Sequence, residues 1–178
     1  MRLQLALDVP SNWRGEELAG SDAWSHRLSR AEVADLERGL EVARASGKTL
    51  PELAREDFPL PVLTDAISGW MSELHRGRGF LNVKGIPVER LAAADVELCY
   101  WGLGLHMGTA VSQNAAGDLL GHVRDTGADP EDTSVRLYKT RVELGFHSDG
   151  SDLVGLLCIR QGRAGGETLL VSTAAIYN

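Results

Sequence analysis

The hydrophobic period of this chain changes lastingly near Gly108 and Thr109, and that change limits the fold more than any other feature. Before it, apolar residues recur at helical spacing. Ser29-Arg30-Ala31-Glu32 has the form of a capping box, in which the serine hydroxyl and the glutamate carboxylate satisfy free N–H groups reciprocally. Val33, Leu36, Leu40 and Ala43 then share one face, and Gly47 supplies the stop. Pro59 and Pro61 break the chain ahead of a second helix. It carries Leu63, Ile67, Trp70, Met71 and Leu74 on one side and ends at Gly77 and Gly79. Phe80-Leu81-Asn82-Val83, bounded by Gly79 and by Gly85-Ile86-Pro87, suits a short buried strand and a turn. A third helix holds Ala92, Val96, Cys99, Leu103 and His106 and closes at Gly108.

From Thr109 the pattern is that of strands. Thr109 to Gln113 and Leu119 to Val123 flank the turn-rich cluster Asn114-Ala115-Ala116-Gly117-Asp118. Val135 to Tyr138, Leu153 to Ile159 and Glu167 to Ser172 are further strand segments, with an acidic loop at residues 127–132. Helices first and strands afterward predict an α+β domain, its helices packed on an antiparallel sheet or barrel. A length of 178 residues suits one such domain.

Charge and composition exclude several partners. A net charge of -7 with scattered basic residues argues against nucleic acid. No run of 18 apolar residues exists to span a membrane, and the first eight residues lack the pattern of a secretory signal, so a cytoplasmic location is expected. Cys99 and Cys158, each in an apolar setting, read as small buried thiols with no disulfide or metal role.

Chemistry concentrates in Leu144-Gly145-Phe146-His147-Ser148-Asp149-Gly150. In extended chain, residues two apart face the same side, so His147 and Asp149 can aim an imidazole and a carboxylate at one point. These are two of the three donors of a 2-His-1-carboxylate triad, a set that suits iron(II) and leaves positions open on the metal. On its own His-x-Asp is a weak signal. It reads equally as a hydrogen-bonded surface histidine and an aspartate that opens a turn with Gly150.

The surroundings add a second motif. An apolar segment from Leu153 to Ile159 follows, then Ala164-Gly165-Gly166-Glu167-Thr168-Leu169-Leu170-Val171-Ser172. The stretch resembles the taurine dioxygenase-like oxygenases, also called the clavaminate synthase-like group. There an aromatic-His-Thr/Ser-Asp motif leads into a strand and a Gly-Gly-Asp/Glu-Thr segment follows. Residues 79–87 resemble the same family's early strand and turn. The resemblance implies helices packed on a partial double-stranded β-helix, or jelly roll, with residues 1–108 mainly helical and 109–178 forming its first strands. It implies that His147 and Asp149 are iron(II) ligands and that the Thr168 hydroxyl binds a carboxylate of the cosubstrate 2-oxoglutarate. The expected reaction is oxidative decarboxylation of 2-oxoglutarate by dioxygen, coupled to hydroxylation of a small molecule.

The family also uses a second iron-binding histidine and a carboxylate-pairing arginine farther along. No histidine follows His147, and Arg160 and Arg163 stand too early to match that arginine. His106, on the apolar face of its helix, reads as a core histidine, and His122 as pocket lining along with Gln113, Asn114 and Arg124. His26 and His75 have no assigned role. The chain is therefore expected to be a single dioxygenase domain cut short at its C-terminal side, whose unpaired edges favour self-association. The alternative is a non-catalytic binding or structural relative that keeps the scaffold without a full metal site. A metal-dependent hydrolase built on His147 and Asp149 ranks last, because such enzymes carry denser runs of His and Asp.

Overall fold

The computed structural model describes residues 5–129, 131–132 and 135–178, and the chain divides into two compact units. One comprises Met1–Thr109 with Val171–Asn178, the other Ala110–Leu170. Residues 1–4 of the N-terminal stretch and Pro130 of the acidic loop lie outside the described residues.

The first unit is α+β. It holds α1 (Gly15–Leu18), β1 (Ser25–Arg27), α2 (Arg30–Ser46), α3 (Thr64–Arg76), β2 (Asn82–Lys84), α4 (Ala93–Leu105) and α5 (Thr173–Tyr177). Helix α2 starts where the capping box predicts: Ser29 Oγ accepts from Glu32 N, and Ser29 N donates to Glu32 Oε2 at 2.7 Å. Burial alone would raise the Glu32 carboxyl, but the Ser29 backbone and hydroxyl bonds and the neighbouring His26 hold it below its ordinary value. The helix ends at Gly47, whose φ of 67° is the left-handed conformation that glycine adopts without penalty. Helices α3 and α4 likewise coincide with the second and third periodic segments.

The core lies between α2 and α4. Phe58, Leu36, Leu60 and Leu63 are fully buried, with Leu40, Ala43, Ile67, Trp70, Val96 and Cys99 around them. Two glycines make room for the Phe58 ring. A Cβ at Gly39 of α2 would lie 2.8 Å from the ring, and one at Gly102 of α4 only 2.2 Å from it. The ring thus occupies a slot that exists because neither helix has a side chain there. Arg44 near the end of α2 pairs with Asp95 in the first turn of α4, each charge complementing its helix dipole.

One charged group sits inside this core. Asp35 of α2 has no exposed surface. Its Oδ2 accepts from Val62 N at 2.8 Å and Leu63 N at 3.0 Å, the N–H groups at the entry to α3, and its Oδ1 accepts from Arg38 at 3.0 Å. A carboxylate at that helix end satisfies N–H groups that have no partner within the helix.

Strands β1 and β2 pair in parallel, with Ser25, His26 and Arg27 opposite Asn82, Val83 and Lys84. The early strand expected at Phe80 to Val83 is therefore displaced toward Lys84, and it is only half-covered, not buried. Its partner β1 is polar and has no alternating pattern to announce it. His26, given no role by sequence, bonds Glu32 at 3.0 Å and meets the Trp70 ring edge-on at 5.1 Å.

The second unit departs most from expectation. Among its described residues there is no strand, only a 3-10 turn at Leu137–Lys139 in otherwise irregular chain. The strands expected at Thr109 to Gln113, Leu119 to Val123, Val135 to Tyr138, Leu153 to Ile159 and Glu167 to Ser172 do not form. Ser172 instead caps α5 by accepting from Ala175 N. A strand is held by its neighbours, and a segment with no paired neighbour keeps its N–H and C=O groups in water. Phe146 (69% exposed) and Leu156 (71%) show how little of the apolar pattern is covered. The turn at residues 114–118 is as predicted: Asn114 Oδ1 accepts from Ala116 N at 2.9 Å, and Gln113 N donates to Asp118 O at 2.6 Å.

Two stability measurements check these contacts. Asp35→Ala strands the buried Leu63 N–H and the part-buried Val62 N–H and should cost about 3 kcal/mol in urea unfolding. Asp35→Asn, which keeps a carbonyl oxygen for them, should cost about 1 kcal/mol. Gly102→Ala should destabilise by about 2 kcal/mol through overpacking, although alanine is the better helix former. Gly104→Ala, with nothing within 4 Å of the new methyl, should instead stabilise by up to about 1 kcal/mol. Equal responses at 102 and 104 would rule out the ring slot.

Candidate metal centre

The segment 144–150 is non-helical, exposed chain of the second unit. It brings the two sequence-predicted donors together: His147 Nε2 lies 3.8 Å from Asp149 Oδ1. Both side chains are about half exposed, at 56% and 53%. His147 Nδ1 lies 2.8 Å from the Gly145 carbonyl oxygen, two residues back. A carbonyl oxygen only accepts, so Nδ1 donates, and Nε2 is the ring nitrogen on the Asp149 side.

The pair fits a divalent ion. Donors on adjacent octahedral positions, each about 2.1 Å from the metal, stand about 3 Å apart. The observed gap is wider by less than 1 Å, within reach of small side-chain rotations of exposed residues. Iron(II) matches the donor chemistry, one imidazole nitrogen and one hard carboxylate oxygen with no thiolate beside them. Among the described residues, however, no group of three or more His, Cys, Asp or Glu side chains is placed to hold a metal.

The chain just before the motif is tied across a loop. Thr126 N and Oγ1 both donate to Lys139 O, at 2.9 and 3.1 Å, and Arg141 pairs with Asp125. The Arg141 bond, then the Gly127 N–H, hold the Asp125 carboxyl below the usual carboxylate range. No periodicity signals this tie, which links residues whose sequence neighbourhoods look unrelated.

Thr168 is exposed and, among the described residues, makes no hydrogen bond to His147 or Asp149. It follows Gly165 and Gly166, whose φ values of 73° and 79° make them a turn that other residues enter only with strain. His106 lies in the first unit, at the end of α4. Its Nε2 donates to Phe58 O at 2.7 Å, and Arg55 Nε donates to its Nδ1 at 3.0 Å, so it fastens the Phe58 loop. Gln113 bonds within its own turn, as Asn114 does, while His122 and Arg124 are exposed.

The cysteines differ from each other, and Cys158 alone departs from expectation. Cys99 is buried against α2, and burial, with a smaller push from Glu37, raises its thiol to about 11. Cys158 is exposed, and the strand Leu153 to Ile159 in which it was expected to be buried is not formed.

A family model described as Taurine catabolism dioxygenase TauD, TfdA family matches residues 46–178. The chain is 31% identical over 169 residues to FR-33289 synthase of Streptomyces rubellomurinus, covering 94% of this chain and 50% of that protein. It is 27% identical over 173 residues to taurine hydroxylase-like protein SAT17 of Stachybotrys chartarum, covering 93% of this chain and 45% of that protein. The chain thus spans about half the length of these curated relatives. No helix among the described residues is long and apolar enough to cross a membrane.

The thiols offer a direct check of the two environments. In the native chain an aromatic disulfide reagent should titrate one fast thiol, lost in Cys158→Ser, with Cys99 reacting only after denaturant. Two fast thiols would mean that the α2–α4 interface opens readily.

Proposed function

The chain belongs to the TauD/TfdA dioxygenase family, and from that membership we propose that it acts as part of an iron(II)- and 2-oxoglutarate-dependent oxygenase that hydroxylates a small molecule. The observation that carries this reading is the approach of His147 Nε2 to Asp149 Oδ1 within the family's aromatic-His-Ser-Asp pattern. When bound, iron(II) with 2-oxoglutarate supplies the decarboxylation that delivers one oxygen atom of dioxygen to a substrate C–H bond and the other to succinate, releasing carbon dioxide.

In this reading His147 and Asp149 hold the metal, and the Asp149 carboxylate offsets one of its two charges. The Thr168 hydroxyl donates to a carboxylate oxygen of 2-oxoglutarate and fixes its orientation, with the Gly165-Gly166 turn setting the approach of that residue. The third metal donor and the arginine for the distal carboxylate are proposed to come from outside the residues described. We further propose that Ala110–Leu170 becomes strand when the remainder of a jelly roll pairs with it, which would also cover Phe146 and Leu156. A cytoplasmic location belongs to the same reading. A scaffold without catalysis is the second reading, favoured by the count of two donors.

Anaerobic titration with iron(II) and 2-oxoglutarate tests the proposal. For residues 1–178 the visible charge-transfer band should be absent or faint. Iron(II) binding should nonetheless weaken at least about tenfold in His147→Ala and in Asp149→Ala. Binding indifferent to both substitutions would remove the metal reading, and a strong band would place a third donor within these residues.

A further inference from the structure

We propose that residues 7–13 form a strap that fastens α5 to the helical unit. The strap thereby fixes the far end of the chain that carries His147, Asp149 and Thr168. It concerns how that chain is held and stands whether or not the two donors bind a metal.

Helix α5 has too little of its own to stand on. Five residues cannot keep helical hydrogen bonds in water without outside contacts. Ala174 is its one buried residue, while Ile176 and Tyr177 are exposed. Among the described residues, the long-range hydrogen bonds of Ser172–Asn178 all go to Leu7 or Ser11. The Asn178 amide grips both peptide groups of Leu7: Leu7 N donates to Asn178 Oδ1 at 2.7 Å, and Asn178 Nδ2 donates to Leu7 O at 3.0 Å. Ser172 Oγ donates to Ser11 O while it accepts from Ala175 N. One hydroxyl thus starts the helix and ties it down.

The segment is anchored at its other end as well. Asn12 N donates to Val9 O at 2.9 Å, and Asn12 Nδ2 donates to Leu7 O at 3.3 Å, which bends the segment into a turn. Trp13 follows it. Its indole Nε1 donates to Arg78 O at 2.9 Å, and its ring meets Phe80 edge-on at 5.1 Å. Arg78 and Phe80 lie between α3 and β2, so residues 7–13 bridge α5 to the chain that follows α3. Terminal segments stay ordered only where they are tied down in this way. Val171–Asn178 belongs to the helical unit and Ala110–Leu170 to the other. The strap therefore decides whether Ala110–Leu170 is tethered at both ends or at one, and a closed loop has the smaller conformational freedom.

Residue-resolved amide hydrogen exchange on the full chain tests the proposal. The N–H groups of Leu7, Ile176 and Asn178 should exchange at least about tenfold slower than in unstructured chain. Leu7→Pro removes the N–H that Asn178 accepts and should speed exchange at positions 176 and 178 at least about fivefold, with α2 unchanged. Asn178→Ala should free the Leu7 N–H in return. Trp13→Phe, which keeps a ring and removes the indole N–H, should speed exchange at Leu7 and in α5 together. Exchange in α5 that ignores Leu7→Pro and Trp13→Phe overturns the proposal, because the helix then holds itself. Equal speeding in α2 overturns it too, making residues 7–13 part of the core and no strap. Fast exchange at Leu7 in the unsubstituted chain likewise overturns it.

Discussion

A buried carboxylate organises the helical unit. Asp35 projects from α2 into a region without water and can remain there only because three donors converge on it, two of them N–H groups at the entry to α3. This couples α2 to the chain that enters α3. Hydrophobic contact is tolerant of small shifts, whereas a charge with fixed donors is not. The point at which the chain enters α3, at Val62 and Leu63, is thereby fixed against α2.

The two units differ in the kind of order they have. The helical unit is built on hydrogen-bonded helices and buries an apolar core. The second unit depends on turns, the Thr126 to Lys139 tie and exposed ion pairs, which contribute little once screened by water. Low burial and solvent-facing backbone define the regions of a protein that open most easily. His147 and Asp149 lie in such a region, and the contacts that orient them, such as His147 to the Gly145 carbonyl, are local to the segment.

What could be read from residue order follows from this division. Helices α2, α3 and α4 were legible because their hydrogen bonds and caps are local: Ser29, Glu32 and Gly47 announce α2 completely. Strand β1 was not, since Ser25-His26-Arg27 has no period, and only pairing with Asn82–Lys84 makes it a strand. The segments after Thr109 carry strand-like composition, but composition does not supply the neighbour that a strand requires. Asp35 gave no sign because a charged residue in an amphipathic helix normally faces water. At His147 and Asp149 the approach of the two side chains was legible and the Gly145 carbonyl contact was not, as every residue has a carbonyl and only geometry tells which is used.

The Phe58 slot has a bearing on how this fold can vary. Because the ring takes up volume that Gly39 and Gly102 leave vacant on opposite helices, the three positions share a single allotment of space. A methyl added to either helix is tolerable where the aromatic ring has shrunk, and an intact ring forbids both. Substitution at any one of these sites should therefore depend on the other two, and the distance between α2 and α4 is a property of the trio and of no single residue.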